Sequence, residues 1–86
     1  MKAVYDYLQE EFKNCAVRDR YESGRTAQVF TVETGQANHK AVISEEFLSN
    51  HAAEAIPDAL KRFLLAEHLR ECKDPILVTT KGLELA

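Results

Sequence analysis

The sequence predicts an α+β domain of two layers: a three- to four-stranded, mainly antiparallel sheet packed by two main helices, in the order α-β-β-β-α-β. Three observations predict it. Apolar residues recur at helical spacing at the start of the chain, the period falls to two over the next three segments, and a long helical stretch followed by a β-branched run closes the sequence. No internal repeat, low-complexity tract or linker interrupts this order, which leads to helices segregated against one sheet around a single core.

Residues 2 to 13 place Val4, Tyr5, Leu8 and Phe12 at helical spacing, with Asp6, Glu10 and Glu11 on other faces. Asn14 suits the end of that helix. From Ala16 the pattern alternates, with Val17 and Tyr21 on one side and Arg18 and Arg20 on the other, until the turn signal Ser23-Gly24. Residues 26 to 34 are rich in β-branched and aromatic residues that fit a pleated surface, and they pair with the first strand as a hairpin. Lys40 to Ile43 make a short third strand. Ser44 then caps a helical turn whose Glu45 and Glu46 sit well at the positive end of the helix dipole.

Pro57 has the character of a first-turn proline, and the main helix is predicted from there to about Cys72. Its apolar residues make two stripes instead of one. Ile56, Leu60, Phe63 and Leu64 fall on one face, whereas Leu65, Leu69 and Cys72 fall on another. A helix resting on a sheet needs one stripe, so the second predicts a surface covered by the first helix, by the segment Phe47-Leu48, or by another molecule. Lys73-Asp74-Pro75 ends the helix and Ile76 to Thr80 read as a strand that either returns to the sheet or pairs with another chain. Lys81-Gly82 then ends or turns the chain before its last four residues.

Eighty-six residues allow one core and not two, and 45% apolar with 29% charged residues lies near the globular average and far from disordered chains. The formal charge is -3, and the eleven Lys and Arg residues are scattered among fourteen acids. That pattern argues against nucleic acid as the main partner, because phosphate affinity comes from clustered cations. No apolar run approaches the roughly 18 residues of a membrane span, and the start of the chain lacks the basic and apolar regions of a signal peptide. The expectation is a cytoplasmic protein in which Cys15 and Cys72 are reduced thiols.

Chemistry-bearing motifs are weak. Cys15, Cys72, His39, His51 and His68 are good metal ligands by type, but no two have the close spacing of a structural zinc site. A nucleophilic cysteine needs an adjacent cation or a helix N-terminus; Cys72 falls at a helix C-terminus, and Cys15 has only Arg18 nearby. The adjacent pairs Glu10-Glu11 and Glu45-Glu46 do not supply two carboxyls in different environments, as acid and base work requires. Gly24, Gly35 and Gly82 are isolated in turns and build no phosphate loop. No catalytic, cofactor or metal site is therefore expected.

Two binding surfaces remain. The leading expectation is a small interaction or regulatory protein without catalytic activity, binding another protein or a second copy of itself. Its surface would be the Leu65 and Leu69 side of the long helix, or a sheet edge at Ile76 to Thr80 presenting Ile76 and Val78. The alternative is a nucleic-acid accessory domain using Arg18, Arg20 and Arg25 around the first hairpin, with Lys40 close by. On a common strand face Arg18 and Arg20 stand about 7 Å apart, a spacing that suits an acidic partner or successive phosphates.

Overall fold

The structure is a computed structural model and describes residues 2–85. Among the described residues the order is α1 (Lys2–Glu11), β1 (Ala16–Glu22), β2 (Ala27–Glu33), β3 (Asn38–Ser44), α2 (Glu45–Ser49), a 3-10 turn (Ala53–Ala55), α3 (Ile56–Arg62), α4 (Leu65–Glu71), β4 (Ile76–Thr79) and β5 (Gly82–Leu85). Ser44 caps α2 as predicted, its Oγ accepting the Phe47 N–H at 3.1 Å. Ala86, which closes the sequence, lies outside the described residues.

The strands form one five-stranded sheet in the order β1-β2-β3-β4-β5. Five strands stand where three to four were expected, and the sheet, mainly antiparallel as expected with three of its four pairings, is mixed. The β1-β2-β3 meander and the β4-β5 hairpin are antiparallel, but β4 pairs parallel to β3. The reason lies in the connection: α2, α3 and α4 carry the chain back across the sheet, and a strand that follows such a crossover enters alongside β3 in the same direction. Gly82 turns the chain with a positive φ of 127°, which lets β5 fold back on β4 and extend the sheet by a strand the sequence did not announce.

The long helix also differs from expectation. It is broken at Leu64, which adopts the left-handed conformation (φ 58°, ψ 41°) between α3 and α4. At about 100° per residue, a straight helix would carry the Leu60 and Leu69 stripes to opposite sides. The break turns both stripes the same way. Ile56, Ala59 and Leu60 of α3 and Leu65, Ala66 and Leu69 of α4 are all fully buried in one core with Phe30, Val32, Ala41, Ile43 and Val78 of the sheet.

The new helix end needs partners for its free N–H groups. Leu64 gives α4 no side-chain cap. Tyr7, reaching over from α1, supplies the acceptor: its hydroxyl takes the Ala66 N–H at 3.1 Å. Arg70 ties the other end of α4 to α1 through a 2.6 Å hydrogen bond to the Glu11 carbonyl, and its guanidinium lies 4.7 Å from the centre of the Phe12 ring.

Candidate functional site

The register of the sheet fixes which side chains share a face. On the helix side, Asp19, Phe30, Ala41, Ile76 and Leu85 stand in one line across all five strands. On the opposite face the corresponding line is Arg20, Val29, Val42, Leu77 and Glu84, and the next is Arg18, Thr31 and Lys40. Beyond these two lines lie Glu33 with Asn38 at one end and Glu22 with Ala27 and Ser44 at the other. The small apolar cluster of this face, Ala27, Val29 and Val42 with Leu77 packed on it, includes no helix residue.

Although no helix covers them, Val29 and Val42 are only 3% and 2% exposed. Arg20, Lys40 and Pro75 line the same hollow as these two valines. Long cationic side chains lay their methylene stems over the valines and keep their charged heads in water. Alongside runs a shallow, solvent-open groove of about 360 Å³, lined by Arg18, Asp19, Arg20, Val29, Thr31, Glu33, Asn38 and Lys40.

The electrostatics of the groove are layered. Arg18 pairs with Glu33 through Nε at 3.3 Å, Arg20 with Glu22 at 3.4 Å, and Arg25 reaches the same Glu22 at 3.2 Å. Among the described residues Lys40 has no carboxylate within 4.0 Å. Asp19 borders the groove but turns its carboxylate to Gln28 Nε2 at 2.9 Å on the helix side, so the long side chains at the centre of the groove are cationic, with one glutamate at each end. Sequence reasoning found Arg18, Arg20 and Arg25 and suspected Lys40. Glu22 and Glu33 are the partners a solvated sheet face would give these arginines, as the sequence suggested, whereas Thr31 and Asn38 were missed, although the alternation of β2 and a hairpin register would have placed both on this face.

The other expected surface is occupied. Leu65 and Leu69 are fully buried, and Ile76 and Val78 are buried beneath the helices. β4 is an inner strand, paired on both sides by β3 and β5, so it offers no edge. The docking surface expected at Leu65, Leu69, Ile76 and Val78 is taken up by the chain's own core, because the break at Leu64 lets one core, built by the sheet with α1 and Phe47, take up both stripes.

The remaining candidate groups stand apart. Among the described residues no three His, Cys, Asp or Glu side chains gather as a metal site. The Nδ1 atoms of His51 and His68 lie 2.9 Å and 2.8 Å from the Phe47 and Leu64 carbonyls of their own helical turns, and His39 stacks on Phe12. Cys15 and Cys72 are free and half-buried. Burial raises the Tyr7 hydroxyl above its ordinary pKa of 10.0, partly opposed by the Ala66 hydrogen bond. Tyr21 is raised as well, by the hydrogen bond its hydroxyl donates to Glu45. Both tyrosines lie on the helix side, away from the groove. No helix of the described residues is long and apolar enough to cross a membrane.

Comparison with protein-family models, with curated proteins and with solved structures gives no match.

Proposed function

We propose that this chain is a cytoplasmic protein-binding module without chemistry of its own, and that it works through the helix-free face of its sheet. The observation that carries this reading is the groove over β1, β2 and β3, where Arg18, Arg20 and Lys40 surround Thr31 and Val29 between two flanking glutamates. A protein partner suits this face better than nucleic acid. Among the described residues the face carries no aromatic ring on which a base would stack, and Glu22 and Glu33 repel a phosphate backbone running beyond the cations.

The test is differential capture from cell extract. Two charge-reversed variants are compared with the unaltered chain, Lys40→Glu on the groove and Glu67→Lys on the helix layer, after both are shown to melt normally. Proteins retained by the unaltered chain and by Glu67→Lys but lost by Lys40→Glu support the reading. Capture that ignores the groove and responds to the helix layer overturns it.

One observation favours self-association as a second reading. Leu85 is 71% exposed on the edge strand β5, beside a cleft lined by His68, Cys72, Ile76 and Leu83. The opposite edge, β1, is blunted by Arg18, Asp19 and Arg20, as protected edges commonly are. An antiparallel β5 to β5 pairing centred on Glu84 would set Leu83 of each copy against Leu85 of the other and continue the sheet. Sedimentation at high micromolar concentration checks it: a dimer abolished by Leu85→Lys supports this second use, and a monomer throughout removes it.

A further inference from the structure

The groove has a spacing as well as a sign. Arg18 and Arg20 point from the same face of β1, two residues apart, a distance of about 7 Å along a strand. An extended peptide lying along β1 repeats its own side chains on one face at that interval. Two carboxylates separated by one residue would therefore meet the two guanidinium groups together. Lys40 stands two strands away from Arg18, in line with it through Thr31, and closes the other side of the groove over the first carboxylate.

The existing ion pairs leave room for this. Glu33 holds Arg18 by Nε, which keeps both terminal nitrogens of the guanidinium free to fork onto an incoming carboxylate. Glu22 holds Arg20 by one terminal nitrogen. Both pairs are exposed, with the Arg18 and Arg20 side chains 74% and 66% accessible, and such pairs are weak enough to be shared. Beyond the two acid-binding lines the groove ends on Glu33 and on Glu22, so the segment must become neutral or basic on either side of its carboxylates.

We infer that the groove seats an extended segment of a partner protein in which two acidic residues are separated by one residue and flanked by neutral or basic ones. The occupant is a different chain. None of the fourteen acids of this sequence stands two residues from another, so a second copy has no segment of the required pattern. This inference rests on the reading of the helix-free face as the binding surface and adds the chemistry of what binds there.

The experiment titrates the isotope-labelled full chain with four probes and follows backbone amide shifts at low and at moderate salt. The first is a synthetic peptide with two glutamates separated by a valine between lysine-bearing flanks. The others are the same peptide with its glutamates adjacent, the same peptide with glutamine at both places, and a single-stranded thymidine oligonucleotide. The expected result is saturable shifts at Arg18, Arg20, Thr31 and Lys40 with the first peptide, binding at least about ten-fold weaker for the adjacent-glutamate peptide, and none for the glutamine peptide. Arg18→Gln with Arg20→Gln, both at exposed positions, removes the binding while leaving the melting temperature in place. Equal binding of the glutamine peptide, tighter binding of the oligonucleotide, or shifts confined to β5 would overturn the inference. If the first peptide fails while groove-dependent capture from extract holds, only the occupant is wrong; if capture is also independent of the groove, the reading of the face falls with it.

Discussion

Replacing Tyr7 with phenylalanine isolates the contact that lets the helix layer break. The ring stays in the core, but the Ala66 N–H, fully buried at the first turn of α4, loses its only acceptor among the described residues. A buried donor left without a partner costs roughly 1–3 kcal/mol. For a domain of this size each kcal/mol moves the melting temperature by about 4–8 °C, so a central cost of about 2 kcal/mol predicts a fall of roughly 8–16 °C. The assay is calorimetry at neutral pH, with Tyr5→Phe as control, because the Tyr5 hydroxyl bonds to no described residue. A second signature comes from titration. Burial raises the folded-state pKa of Tyr7 above 10.0, so above that pH the unfolded chain gives up the proton first. The corresponding stability is complete below about pH 10 and is lost as the pH climbs through the folded value, and Tyr7→Phe should flatten that alkaline loss. The contribution of Tyr21, raised by Glu45, is common to both proteins and cancels in the comparison. A Tyr7→Phe protein that melts within 2 °C of the parent (~0.5 kcal/mol or less), with the same alkaline profile, would refute the cap.

Two further outcomes test the same region. Leu64→Gly relieves a left-handed conformation that costs an L-residue about 1–2 kcal/mol, less the backbone freedom glycine adds to the unfolded chain, and is expected to raise stability by about 0.5–1 kcal/mol at an unchanged denaturant slope; a lower urea midpoint would mean that Leu64 contributes packing the break cannot spare. Leu69→Ala is expected to cost about 2–5 kcal/mol, as truncation of a fully buried leucine does, whereas a nearly neutral change would return Leu69 to the surface the sequence first suggested.

What the sequence made legible follows from what each element owes to local chemistry. The meander was readable because alternation and β-branched residues describe a pleated surface directly, and the cap on α2 was readable because serine before two glutamates is a local signal. The break at Leu64 was not, since neither glycine nor proline marks it and leucine is an unfavourable residue for a left-handed position. Its trace was present all the same. The half-turn slip in phase between the Leu60 and Leu69 stripes fits a straight helix whose second stripe is covered by another part of the chain or by an outside partner, and equally a bent one that turns both stripes to the same core. Long-range contacts decide between them, among them the Tyr7 hydroxyl on the Ala66 N–H and Arg70 on the Glu11 carbonyl, each 59 residues apart in sequence. β5 was missed for a related reason: its four residues alternate too briefly to announce a strand before β4 is in place to receive them. Of the candidate face, Arg18 and Arg20 were legible by parity alone and Glu22 and Glu33 as their acidic partners, whereas Thr31 and Asn38 needed the register.

Turning both apolar stripes inward also bears on the kind of binding proposed for the open face. Had Leu65 and Leu69 pointed outward, a partner would have gained chiefly by covering leucine, and the surface would have been adhesive towards many proteins. On the face that is left, Val29 and Val42 are already buried with Ala27 and Leu77, in a hollow that Arg20 and Lys40 line, so a partner would recover little apolar area. What it finds is a short pattern of charge with fixed spacing and an acidic stop at either end. Recognition of that kind discriminates by register and by like-charge repulsion more than by buried area. It is weak for a single segment and weakens further with salt, which makes salt dependence the property that separates this mode of binding from pairing at the leucine-bearing edge of β5.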